Sequence, residues 1–270
     1  MAKSGYELGV IGGGNMAEAI LRGVVGGGVL DRGRIVVAEP LPARRELLSR
    51  DLQVACVESN ALAAGCPHVL LAVKPQVMAG VLDEIAPAVA ADAVVISIAA
   101  GISTRVLDDK LGGRGKLIRT MPNTPMLVGA GMTALAAGPR AAEADLAWAE
   151  SLFAACGKTV RVAEDMIDAV TAVSGSGPAY FFYLIEAMIA AGVAEGLDAD
   201  VAAVLAAQTC AGAAKLLSET REKPEVLRAR VTSPGGTTQR AIETMDAASV
   251  QAALIRAVRA AAHRSRELGK

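Results

Sequence analysis

The 270-residue sequence predicts an α/β protein in two parts, a doubly wound sheet followed by an all-helical segment. Three observations carry that prediction. Short runs rich in Val and Ile alternate with segments of helical spacing through the first half, the rhythm of strand–helix–strand units. The runs are apolar throughout, as parallel strands covered on both faces are. After Glu164 the strand signal ends, and Ala- and Leu-rich helical stretches run on to the last residues.

In order, strands are predicted over residues 7–11, 34–38, 54–57, 68–73, 93–98 and 116–120, with helices over 16–25, 44–50, 77–86 and 104–111 between them. A helix over 140–155 and a short strand over 159–162 close this part. The remainder reads as helices over 178–195, 198–217, 236–245 and 249–268. Small residues such as Gly192 let those helices approach closely, and so apolar a bundle is expected to bury a face against a second copy of the chain. The boundary falls near residue 163, giving domains 1–163 and 164–270, in line with a prior of about 150 residues per domain.

Composition narrows the function. Lys and Arg total 27 against 28 Asp and Glu, and only 3% of residues are aromatic, so nucleic acid is not an expected partner. Cys56, Cys66, Cys156 and Cys210 stand singly, without metal-ligand spacing; no metal site is expected, and reduced thiols fit a cytoplasmic protein. His68 and His263 read as structural residues. No membrane span is expected, because Asp92, Glu186 and Glu195 interrupt the longest apolar stretches, each costing about 2.5–3.5 kcal/mol at a bilayer centre. The first residues lack the pattern of a secretory leader.

Leu8 to Glu18 carries Gly12-Gly13-Gly14-Asn15-Met16-Ala17 directly after a strand and at the opening of a helix. Gly12 permits the tight turn, Gly14 lets backbone approach a pyrophosphate, and Ala17 holds the close-packing place of the third glycine. The helix start offers N–H groups and partial positive charge to phosphates. A dinucleotide cofactor in a Rossmann-like domain is the expectation. Glu39 ends the second strand, where a carboxylate suits a ribose 2′-OH, yet Arg44 and Arg45 follow and suit a 2′-phosphate, so NADH and NADPH both stay open. Ala72-Val73-Lys74-Pro75 and Ala99-Ala100 follow the fourth and fifth strands, on the ligand side of an open sheet. Lys74 reads as part of a turn around the nucleotide, with a catalytic lysine as the alternative.

Three further Gly, Pro and hydroxyl clusters remain: Met121 to Pro125, Val173 to Tyr180 and Val231 to Thr238. The last two interrupt helical country, where Gly costs about 1 and Pro about 3 kcal/mol relative to Ala; such local conflicts mark functional sites. Each leads into a helix, where Pro is tolerated in the first turn and Ser or Thr is expected to cap. Hydroxyls and backbone N–H groups at helix starts make a receptor for a small carboxylate. The clusters hold no His, Asp, Glu or Lys. Oxidising an alcohol calls for a general base, whereas an imine nitrogen enters already protonated and accepts hydride on its carbon.

These segments also carry a resemblance. Residues 9–17, 72–76, 119–125, 171–180 and 231–238 are similar, in order and spacing, to the motifs of pyrroline-5-carboxylate reductases. The resemblance implies reduction of L-1-pyrroline-5-carboxylate to L-proline by NADPH or NADH. It implies cofactor contacts from Gly12, Gly13, Gly14, Asn15, Met16, Asn60, Ala72, Val73, Lys74, Pro75, Ala99 and Ala100. Ser176, Gly177, Gly236 and Thr237 would hold the substrate carboxylate, and Thr238 would meet the ring nitrogen as the catalytic residue. It also implies a homodimer interlocked through the C-terminal helices, often five dimers in a decamer. Two departures stand out: Glu39, where NADPH-preferring members often carry a neutral or hydroxyl residue, and Arg230, where some relatives have Asn. The alternatives from other classes are a hydroxyacid dehydrogenase using a helical lysine such as Lys215, and a non-catalytic dinucleotide sensor.

Overall fold

The computed structural model describes residues 5–269; residues 1–4, part of the stretch read for a leader, lie outside them. Strands and helices alternate from the start: β1 (Leu8–Ile11), α1 (Asn15–Gly26), β2 (Ile35–Ala38), α2 (Pro42–Leu52), β3 (Ala55–Val57), α3 (Asn60–Ala64), β4 (His68–Leu71), α4 (Pro75–Ile85), β5 (Val94–Ser97), α5 (Thr104–Lys110) and β6 (Lys116–Met121). β7 (Gly131–Ala137), α6 (Glu143–Ala154) and β8 (Gly157–Arg161) complete the sheet. Its order is β3-β2-β1-β4-β5-β6-β7-β8.

The continuous apolar runs follow from burial on both faces. Val10, Val37, Leu70, Ile96 and Ile118 pack with Ile20 of α1 and Phe153 of α6. Their neighbours Ile11, Val36, Val69, Val95 and Leu117 pack the other way, with Ala63 of α3, Leu82 of α4 and Leu107 of α5. Each such side chain contributes about 1.5–3 kcal/mol on burial.

The sheet is not wholly parallel, as the alternation suggested: β7, which the sequence did not reveal, runs antiparallel to β6. After Met121 the chain turns through a 3₁₀ segment, Thr124–Val128, and a left-handed Gly129 at φ 71°. So short a connection returns a strand antiparallel, since a parallel crossover needs a dozen or more residues.

The chain divides into two compact units. The first takes the sheet, continues to Gly175 and includes the chain from Ala261; the second runs from Ser176 to Ala260. Within the first, α7 (Ile167–Val170) leads into a π-helical turn, Thr171–Gly175. Arg119 of β6, only 5% exposed, faces Glu164 at 3.6 Å and Asp168 at 3.8 Å. Glu164 in turn accepts from the Thr104 backbone N–H and hydroxyl.

The second unit is helical: α8 (Gly177–Ala194), α9 (Ala199–Thr220), α10 (Pro224–Arg230), α11 (Thr237–Ala247) and α12 (Val250–Leu268) as far as Ala260. α10 is short and highly charged and gave no apolar period to read. α8 and α9 meet where Gly192 leaves room for the Ala202 methyl, 3.2 Å from where a Cβ would stand. Phe181, Phe182, Tyr183 and Leu184 of α8, with Val204 and Leu205 of α9, are exposed, Tyr183 at 76%.

Candidate active site

The glycine turn between β1 and α1 sorts its residues by task. Gly12 has φ 97°, and a Cβ there would stand 2.8 Å from the Ala72 carbonyl oxygen, so only glycine fits. Gly14, the extended N-cap residue of α1, has nothing within 4 Å of a Cβ position. The protein's own packing does not demand glycine there; the open space lies at a helix start, where a pyrophosphate would approach. The Gly13 N–H points instead to Glu39, 2.7 Å from Oε2.

This turn opens on a cleft of about 560 Å³ lined by Gly12, Gly14, Ala38, Glu39, Pro40, Glu58, Asn60, Ala72, Val73, Lys74, Val77, Val81 and Glu84. Of the residues expected at the cofactor, Gly12, Gly14, Glu39, Asn60, Ala72, Val73 and Lys74 line it. Asn15 opens α1, Met16 packs against the core, and Pro75 opens α4. Ala99 is buried among the α4 and α5 side chains, and Ala100 lies in the turn after β5. The sequence reading missed Ala38, Pro40, Glu58, Val77, Val81 and Glu84. The last three recur at helical spacing along one face of α4, a signal that was available. Asn60 is held by Glu84, whose Oε2 accepts from Nδ2 at 2.9 Å.

Charged groups brace the turn. Arg44 donates Nε and Nη2 to the Gly13 carbonyl at 2.9 and 2.6 Å, and Nη2 also to Glu18 at 2.9 Å. Burial alone would push the Glu18 carboxyl up; hydrogen bonds from Arg22 and Arg44 outweigh it and hold the group below its ordinary range. Arg45 donates to the carbonyls of Glu39 and Pro40, at 2.7 and 2.8 Å.

The substrate candidates stand in the second unit. Ser176 precedes α8 and Gly236 precedes α11, and neither helix start carries a side-chain cap. The expected Ser and Thr capping is therefore not met. At α11 the reason is that the N-cap residue is a glycine, and at α8 that Ser176 takes a helical backbone conformation, φ −84° and ψ −20°. The first N–H groups of a helix have no intrahelical partner, so the start of α11, with Thr237 and Thr238 in its first turn, keeps donors for an anion. Gln239 secures the preceding loop by accepting from the Gly235 N–H at 2.7 Å.

A glycine turn on the first strand, a cleft beyond the strand ends and an open helix start define a dinucleotide-binding oxidoreductase of α/β type, with a helical second part. A model of the coenzyme F420-dependent NADP oxidoreductase family matches residues 7–101, and a model of the pyrroline-5-carboxylate reductase dimerisation domain matches residues 164–268. The chain is 46% identical over 265 residues to a pyrroline-5-carboxylate reductase of Synechocystis, covering 98% of each. Its fold matches the pyrroline-5-carboxylate reductase of Coxiella burnetii with a TM-score of 0.92 at 36% identity, covering 99% of this chain and 100% of that one. The Plasmodium falciparum enzyme, solved with NADP bound, matches with a TM-score of 0.88 at 28% identity and 98% coverage of each chain. The chain belongs to the pyrroline-5-carboxylate reductase family.

Proposed function

We propose that the protein reduces L-1-pyrroline-5-carboxylate to L-proline, the last step of proline biosynthesis, with NAD(P)H as the reductant. The observation that carries this reading is the chemistry of the two helix starts at Ser176-Gly177 and Gly236-Thr237-Thr238, which offer hydroxyls and backbone N–H groups and no general base. A small carboxylate suits those donors. Bound NAD(P)H supplies the hydride. The Thr238 hydroxyl accepts a hydrogen bond from the protonated ring nitrogen, orienting the imine carbon, and keeps that nitrogen in place as its lone pair forms. Ser176, Gly177, Gly236 and Thr237 fix the carboxylate, so the ring presents one face.

The cofactor residues fit the group. Gly14 leaves backbone exposed at the start of α1, and the cleft begins at that turn, lined by Gly12 and Gly14. Lys74 is an exposed residue at the N-cap of α4, which suits positioning of the nucleotide.

The protein is a homo-oligomer through its C-terminal part. The helical run Glu164–Ala194, which ends in α8, and α9 are long and apolar enough to cross a membrane by length and composition. We read their exposed faces as the dimer interface, since the dimerisation model spans both helices. An interlocked dimer, five of which assemble into a decamer, predicts a solution mass near two or ten times the 27.4 kDa chain. The four cysteines are thiols, in keeping with the cytoplasm.

The deciding assay follows oxidation of NADH and of NADPH with pyrroline-5-carboxylate or a keto acid. Turnover with the cyclic imine and not the keto acid is expected. Turnover with the keto acid would favour a hydroxyacid dehydrogenase, and binding without turnover a dinucleotide sensor.

A further inference from the structure

The end of β2 separates the two nicotinamide cofactors, because they differ there by a single 2′-phosphate. Glu39 is 7% exposed, and both its carboxylate oxygens are held by backbone: Oε2 accepts from Gly13 N–H at 2.7 Å and Oε1 from Leu41 N–H at 3.0 Å. A carboxylate pinned at both oxygens does not swing aside for a second anion. Each oxygen keeps a further lone pair for an O–H donor.

The two arginines that left the question open in the sequence are both committed. Arg44 is spent on the Gly13 carbonyl and Glu18, and Arg45 on the carbonyls of Glu39 and Pro40. Neither lines the cleft. The charged side chains that do line it are Glu39, Glu58, Glu84 and Lys74. Lys74 stands at the N-cap of α4 and Glu39 directly after β2. Arg45 lies 3.8 Å from Glu58 and so partners an anion already present. A 2′-phosphate, with about −1.5 to −2 charges at neutral pH, would meet carboxylates and no uncommitted guanidinium. A ribose diol would meet acceptors.

We infer that this enzyme prefers NADH to NADPH, and that Glu39, fixed by Gly13 and Leu41, sets the preference together with the inward turn of Arg44 and Arg45. The inference rests on the proposed reaction only in that a nicotinamide dinucleotide is the reductant.

The test is calorimetric titration of the purified full-length protein with NADH, NADPH, 5′-AMP and 2′,5′-ADP, alongside kcat/KM for both reductants with pyrroline-5-carboxylate. NADH should bind at least about tenfold more tightly than NADPH, equivalent to about 1.4 kcal/mol, and 5′-AMP more tightly than 2′,5′-ADP. Glu39→Gln keeps an oxygen for the Gly13 N–H and removes the charge, so it should narrow the gap by improving NADPH. Equal or tighter binding of NADPH to the natural protein would overturn the inference, as would an Arg45→Ala variant that weakens NADPH and not NADH. If Glu39→Gln fails to fold, the four-ligand titration of the natural protein decides. Nucleotide binding in the expected order without turnover of the imine would sink the proposed reaction and leave this inference standing; turnover favouring NADPH would do the reverse.

Discussion

Asn123 and Ser174 are joined across 51 positions of sequence: the Asn123 Nδ2 lies 3.2 Å from both the carbonyl and the hydroxyl oxygen of Ser174. The same carboxamide accepts from the Met132 N–H at 2.8 Å through Oδ1. One side chain thus ties the exit of β6, the start of β7 and the π-helical turn that ends at Gly175. Asn123→Ala leaves the Met132 donor without this acceptor and should cost about 2 kcal/mol, lowering Tm by about 4–8 °C for a chain of this size. Asn123→Asp keeps the acceptor and loses the donation to Ser174, so it should fall between the two. A thermal melt that left Asn123→Ala unchanged would remove this residue from the framework.

Two glycines of one turn should fail differently. Gly12→Ala sets a Cβ 2.8 Å from the Ala72 carbonyl oxygen at a left-handed φ, a strain of about 1–3 kcal/mol that should appear as lost stability before any ligand is added. Gly14→Ala meets open space, so its melt should match the natural protein while its affinity for NADH drops. Equal cofactor affinity in Gly14→Ala would show that no pyrophosphate approaches that position.

Thr238→Ala should lower kcat about ten- to a hundredfold, the worth of one hydrogen bond to a charged group, with KM changed much less. Ser176→Ala should act mainly on KM, through the carboxylate. Single-turnover hydride transfer is the measurement that separates them; an unchanged rate in Thr238→Ala would deny the hydroxyl its role at the ring nitrogen.

His68 stacks on Trp148 with ring centroids 3.4 Å apart and planes within 6°. Burial lowers the His68 pKa from 6.5; the Glu7 carbonyl, at 3.3 Å from Nδ1, and the charges of Glu7 and Asp145 oppose the shift, while Lys116 adds to it. The folded protein therefore binds the proton less readily than the unfolded chain. The stability this contributes is complete above about pH 6.5 and is lost as pH falls from there toward the folded-state value, at up to about 1.4 kcal/mol per pH unit. Glu18 and Asp145, both held below their ordinary carboxyl range, act only at lower pH. Melting curves between pH 7.5 and 5.5 should show a decline that His68→Phe, which keeps the stack, flattens. A parallel decline in the variant would assign it to another group.

The six strands read from Val and Ile runs, and the short closing strand, stand within two residues of their expected ends; for β1, β2, β4, β5 and β6 the reason is that a strand buried on both faces leaves a continuous apolar signature. β7 escaped for the converse reason: Gly131 to Ala137 holds three alanines and a glycine and no Val or Ile, so it has little strand preference of its own, and it is held by pairing to β6 and β8. The sequence alone determined the doubly wound sheet, the glycine turn, the helical second part and the family, since each is a local pattern or an ordered set of motifs. The tertiary structure decided the direction of the charges at the end of β2. Glu39 reaches Gly13 across 26 positions and Arg44 reaches it across 31; no local spacing encodes which way those side chains turn, because the backbone groups that capture them come together only when β1, β2 and α2 have packed.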